Sequence, residues 1–110
     1  MNAREEFLEE VKNKELLCAS LTRGEEYRNN IKNFNLPVGY TAELYKNFLD
    51  SLNFLYDDGF GSQELHGFIW YADGTWSERS EYDGSEWWEH KEPPKIPDVL
   101  FDLVKEKNHG

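Results

Sequence analysis

YDDGFGSQELHGFIWYADGTWSERSEYDGSEWWEHK, residues 56–91, decides the fold. It contains all four tryptophans, Trp70, Trp76, Trp87 and Trp88, and three versions of one turn: Tyr56-Asp57-Asp58-Gly59, Tyr71-Ala72-Asp73-Gly74 and Tyr82-Asp83-Gly84. Asp-Gly between aromatic-rich runs marks a tight hairpin, because both central residues of a type I′ turn need positive φ. At least two consecutive hairpins are therefore expected. If Asp73-Gly74 and Asp83-Gly84 are both two-residue loops, Tyr71 faces Trp76, Ile69 faces Glu78, Trp70 faces Ser77, Ser80 faces Trp87 and Arg79 faces Trp88. Opposed and alternate residues share a face. One face then carries Ile69, Tyr71, Trp76, Tyr82 and Trp87. The other carries Phe68, Trp70, Arg79, Trp88, Glu81, Glu86 and His90. The first is richer in apolar mass and is assigned to the core. The second sets Arg79 between Phe68 and Trp88 with Trp70 nearby, an arrangement suited to cation–π contact. A one-residue slip in either hairpin would exchange these faces.

Working outward, Asn2-Ala3-Arg4-Glu5 reads as a capping box, followed by Phe7, Leu8 and Val11 on one face of a short helix. Leu16 to Arg23 alternates at Leu17, Ala19 and Leu21 but also fits a helix; its shortness favours a strand. Gly24 to Leu36 is polar and asparagine-rich and reads as a long loop, with room for a helical turn near Tyr27–Ile31. Thr41 is a good N-cap, and Leu44, Tyr45, Phe48, Leu49 and Leu52 form an apolar stripe over a helix at 42–52. That stripe is the natural cover for Ile69, Tyr71, Trp76 and Trp87. Phe54-Leu55-Tyr56 opens a strand. Pro93-Pro94 ends the ladder, since neither residue can donate to it. Pro97 suits the first turn of a last helix with Val99, Leu100, Leu103 and Val104 on one side. The expectation is a single α+β domain over 1–110, with an antiparallel meander of about four to five strands, two or three packed helices, and an acidic, hairpin-rich half at about 54–92.

Charge is the outlier. The chain has 22 acidic and 12 basic residues, net −10. Residues 57–92 hold ten acidic residues against only Arg79 and Lys91, so the tryptophan-rich region is also the acidic one. Such a field disfavours nucleic acid and membrane surfaces and steers cationic partners; solubility is the plainer use of it. A lone cysteine, Cys18, excludes an internal disulfide. The opening residues are charged and helical in pattern, and no apolar run approaches the roughly 18–20 residues needed to span a bilayer, so a cytoplasmic location is expected.

Chemistry-bearing motifs are sparse. His66 and His90 share a face in the expected register but lie two strands apart without a cysteine beside them, which is poor zinc geometry. Asp57-Asp58-Gly59-Phe60-Gly61 lacks the ligand spacing of a calcium loop. There is no glycine-rich phosphate loop, no Ser-His-Asp set and no basic stripe. Abundant carboxylates beside aromatics would suit sugars, but a small domain with short loops provides little cleft for a glycosidase pair. No cofactor, metal or catalytic residue is therefore expected. The remaining constellation is Trp70, Arg79 and Trp88, residue types enriched in binding hot spots, with Glu81, Asp83 and Glu86 to meet a basic protein partner. The plain alternative is that a helix at 97–106 covers this face.

The Asp-Gly turns, Ile69-Trp70-Tyr71-Ala72-Asp73-Gly74-Thr75-Trp76, Glu81-Tyr82-Asp83-Gly84-Ser85-Glu86-Trp87-Trp88 and Pro94-Lys95-Ile96-Pro97 together resemble small acidic uncharacterised proteins of phages and mobile elements. The resemblance covers roughly the C-terminal half. It implies a small accessory protein, and acidic proteins of this kind often inhibit a host nucleic-acid-handling or defence protein, some by DNA mimicry. The leading expectation is such a non-enzymatic inhibitor. Its alternatives are a structural module with a merely soluble surface, and a small carbohydrate-active or metal-dependent enzyme. An acidic patch with exposed tryptophan would separate the first from the second.

Overall fold

The computed structural model describes residues 1–24, 31–56 and 62–107. Its elements run α1 (Ala3–Val11), β1 (Leu16–Arg23), β2 (Lys32–Leu36), α2 (Ala42–Ser51), β3 (Leu65–Tyr71), β4 (Trp76–Tyr82), β5 (Ser85–Lys91) and α3 (Asp98–Lys107). The strands form one antiparallel sheet in the order β2-β1-β3-β4-β5. The fold is α+β, as the alternation of apolar periods predicts.

Both N-terminal helices start at the caps read from the sequence. Asn2 Oδ1 accepts from Glu5 N at 3.0 Å, and Thr41 Oγ1 accepts from Leu44 N at 3.1 Å. α1 stops where Asn13 turns to φ 64°, a left-handed conformation that asparagine tolerates. Phe7 and Val11 of α1, and Phe48 with Leu52 at the end of α2, meet Ala19, Leu21, Leu36, Ile69, Tyr71 and Trp88 in one core. Phe7 and Phe48 join the two helices edge to face, with ring centroids 5.2 Å apart. Replacing Phe48 by alanine is expected to cost about 3 kcal/mol of unfolding free energy. A urea titration showing a loss below about 1 kcal/mol would remove α2 from the core.

Two expectations about local elements are corrected. The run 32–36 is a strand, not loop: Phe34 and Leu36 alternate with asparagines, and Leu36 is buried opposite Ala19. The expected helical turn near Tyr27–Ile31 falls largely outside the described residues, as does the Asp57-Asp58-Gly59 turn. Instead of opening a strand, residues 54–56 make a single bridge, Leu55 to Asn2.

The most consequential correction is the register of the first hairpin. Trp70 pairs with Trp76, Ile69 with Ser77 and Phe68 with Glu78. Tyr71 N donates to Thr75 O at 3.0 Å and Gly74 N to Tyr71 O at 3.1 Å, which closes a three-residue loop of Ala72, Asp73 and Gly74. Gly74 has φ +88°, while Asp73 keeps a negative φ. This is the type I turn closed by a left-handed glycine, the main competitor of the two-residue loop. Asp73 is held there by its own side chain: Oδ1 accepts from Thr75 N at 2.9 Å and from Thr75 Oγ1 at 2.6 Å. The second hairpin does form the two-residue loop, with Asp83 at φ 52° and Gly84 at φ 87°, and sets Arg79 opposite Trp88 and Ser80 opposite Trp87.

One slipped residue exchanges half of each expected face. The helix-covered face of β3–β5 carries Ile69, Tyr71, Ser77, Arg79, Glu86 and Trp88, all buried. The other face carries Phe68, Trp70, Trp76 and Trp87 and has neither α1 nor α2 over it. α2 packs beside β2 and shares one core with Ile69 and Tyr71, while Trp76 and Trp87 are on the uncovered face.

Candidate partner-binding groove

α1 crosses β4 and β5, and the residues flanking its buried stripe reach down to the sheet. Ala3, Phe7 and Val11 are the stripe; Glu6 and Glu10 lie beside it. Glu10 Oε2 accepts from Ser77 Oγ at 2.6 Å, and Tyr71 Oη lies 2.7 Å from the same Ser77 oxygen. Because Ser77 spends its proton on Glu10, Tyr71 donates to Ser77. Burial, with the Glu10 charge nearby, pushes the Tyr71 phenol up to about 12 against the weaker opposing pull of the Ser77 bond. It stays protonated and serves as a donor.

One turn back along α1 lies a buried ion cluster. Arg79, its side chain 1% exposed, donates to Glu6 Oε1 at 2.7 Å and to Glu86 Oε1 at 2.5 Å. It also donates to Tyr56 Oη at 2.9 Å, and Tyr56 in turn donates to Glu6. Glu86 accepts from the backbone N–H groups of Glu64 at 2.7 Å and Leu65 at 3.1 Å. The indole of Trp88 lies over the guanidinium, 5.1 Å from its ring centroid. Burial lowers the Arg79 pKa, but Glu6 and Glu86 raise it by more, so the net direction is upward and the charge is secure. Burial and the bond to Glu6 push the Tyr56 phenol up as well.

Three of the six residues expected to bind a partner, Arg79, Trp88 and Glu86, therefore do come together, but inside the protein. Trp88 is 8% exposed and lies under α1, not under the last helix. Trp70, 39% exposed, is on the opposite face, stacked on Phe68 with centroids 5.7 Å apart. Glu81 and Asp83 are exposed at the β4–β5 turn, where Glu81 Oε2 accepts from Gly84 N. Sequence reasoning missed Glu6, Glu10 and Tyr56. The available signal was that both glutamates flank the Ala3/Phe7/Val11 stripe and so must lie at the helix–sheet boundary.

Above the buried cluster, a groove of about 340 Å³ runs between α1 and β5, lined by Met1, Glu5, Glu6, Glu9, Glu10, Trp87 and Trp88. β5 is an edge strand, so Trp87, which is exposed, borders the groove from the sheet margin. Glu6 and Glu10 are committed to the interior. The carboxylates of Glu5 and Glu9 have no partner among the described residues. They stand at i and i+4, where like charges destabilise a helix by roughly 0.2–0.5 kcal/mol. The groove can thus offer aromatic walls for an alkyl stem and uncommitted negative charge for its cationic head. Among the described residues no group of three histidine, cysteine or acidic side chains is placed to hold a metal, and no helix is long and apolar enough to cross a membrane. No protein-family model matches the chain, and comparisons with curated proteins and with solved structures find no match either.

Proposed function

We propose that this is a non-enzymatic interaction protein whose α1–β5 groove receives a basic segment of a protein partner. The observation that carries the reading is the Glu5/Glu9 pair, uncommitted among the described residues, beside the indoles of Trp87 and Trp88. Acids at the rim speed association, while an aromatic anchor slows dissociation. In its sharpest form the proposal makes the partner a host nucleic-acid-handling or defence protein whose basic site is occupied in place of nucleic acid, so that the acidic surface acts as a DNA mimic. A structural module with a solubilising surface is the second reading. It is favoured by the burial of Arg79, Glu86 and Trp88, but it leaves the Glu5/Glu9 repulsion without a use.

A fluorescent arginine- and lysine-rich peptide tests the groove directly. Its affinity is expected to fall with rising salt, and Glu5→Gln with Glu9→Gln is expected to slow association about tenfold. Trp87→Ala is expected to cost about 2 kcal/mol, mainly through faster dissociation. Equal binding by the double variant would shift the site elsewhere, and affinity independent of salt would remove the electrostatic basis. For the sharper form, a partner captured from a host lysate must release this protein when double-stranded DNA is added. Failure of that competition with the groove effects intact would discard mimicry alone.

A further inference from the structure

The last helix presents a problem of its own. Val99, Leu100, Phe101, Leu103 and Val104 of α3 are 48–64% exposed. A ten-residue helix is shorter than the roughly 12–15 residues at which isolated helices become even marginally stable in water. Its helical state therefore calls for a packing surface. The segment 92–97, with Pro93, Pro94 and Pro97, leads to it from β5, and proline-rich linkers are stiff and extended. The radius of gyration is 18.6 Å and the long axis 63 Å, whereas a compact chain of this length has a radius of about 13 Å.

The same chain carries an apolar surface in need of cover. The open face of the sheet exposes Phe68, Trp70 and Trp87 at 39–43%, with Trp76 beside Trp70 across the β3–β4 pair. Its strand acids are Glu78 and Glu89, opposite each other. Cys18, Ser20, Thr22, Asn33, Asn35 and Ser80 hold most of its polar positions. Glu78 is paired with Lys91 at 2.7 Å and Glu89 accepts from Ser80 Oγ at 2.7 Å. A second copy can approach here without facing the α1 carboxylates.

We propose that this face is the docking site for α3 of a second copy of the same chain, which receives the first copy's α3 in return. Reciprocal exchange is self-complementary and closes at two copies, as a two-fold dimer does. Each contact engages about eight half-exposed apolar side chains. Two contacts hide on the order of 1,600 Å², the usual size of a specific interface. Glu5 and Glu9 of the acidic groove are on the other side of the sheet; Trp87, at the sheet margin, borders both surfaces, and the substitutions that test this inference leave it in place.

Light scattering and sedimentation of the full chain across the micromolar range read the result. The expected species has about twice the 13.0 kDa mass of one chain. Leu100→Asp with Leu103→Asp is expected to give a monomer, and so is Phe68→Thr with Trp70→Thr. All four positions are exposed in the single chain, so near-native circular dichroism is expected for both variants. Val99→Lys with Val104→Lys serves if either misfolds. Mixing the helix variant with the face variant restores one intact contact, and a dimer weaker than the parent is expected. A parent chain that stays monomeric at every concentration overturns the proposal. That includes the case in which the helix substitutions change Trp70 fluorescence within a monomer, which would mean that α3 covers its own sheet. A dimer that survives both pairs of substitutions overturns it equally.

Discussion

Arg79→Ala is expected to remove about 3–5 kcal/mol of stability, a large share of what a domain of this size possesses. The guanidinium bonds Glu6, Glu86 and Tyr56 in a place where its side chain is 1% exposed. Its removal leaves the Glu86 carboxylate, 0% exposed, as a buried negative charge with only two backbone donors. It also empties the space beneath the Trp88 indole. The pair need not be net stabilising for this to hold, because the cost arises from the charge left behind. A more discriminating variant is Arg79→Met with Glu6→Gln and Glu86→Gln, which removes the charges together and keeps most of the volume. It is expected to recover more than half of the loss. Chemical denaturation of the series decides the point. If the single and triple variants are equally destabilised, packing matters here and charge balance does not.

Gly67→Ala is expected to cost about 4 kcal/mol, near the upper end for a single substitution. Gly67 sits in β3 at φ +140°, and a Cβ built there would lie 2.2 Å from Ser20 O and 2.8 Å from Leu21 Cα on the neighbouring strand. Both obstacles are backbone of β1, paired at Leu21↔Gly67 in the middle of the sheet, so neither side can give way cheaply. Strain at a φ that side chains avoid adds to the overlap. Gly74 is a useful contrast. It also has positive φ, but nothing lies within 4 Å of its Cβ position, so alanine there bears only the conformational cost, about 1 kcal/mol. Comparable losses for the two variants in thermal unfolding would mean that the close approach of β1 and β3 is absent in solution.

Local chemistry was enough to place most elements. Asn2 and Thr41 mark helix starts because their side chains satisfy amides that no helical carbonyl can reach. Asp83-Gly84 sets its hairpin because both residues accept positive φ. The composition established the acidity and its concentration around the tryptophans. These are properties of a few neighbouring residues, which a sequence carries in full.

What the tertiary structure decided was which side of the sheet is inside. Asp73-Gly74 is compatible with a two-residue or a three-residue loop, and the choice turns on the bonds that Asp73 accepts from Thr75 and on which register the helices can cover. That choice moved Trp76 and Trp87 outward and Ser77 and Arg79 inward. An arginine looks like a surface residue until Glu6, some 70 positions earlier, is brought above it by α1. The ion cluster and the groove exist only because that helix crosses β5. β2 was hidden for a related reason: two apolar residues among asparagines are a weak local signal, and pairing with β1 supplies what local propensity does not. Pairing and face selection are long-range choices between nearly equal local alternatives, and burial of the whole core settles them.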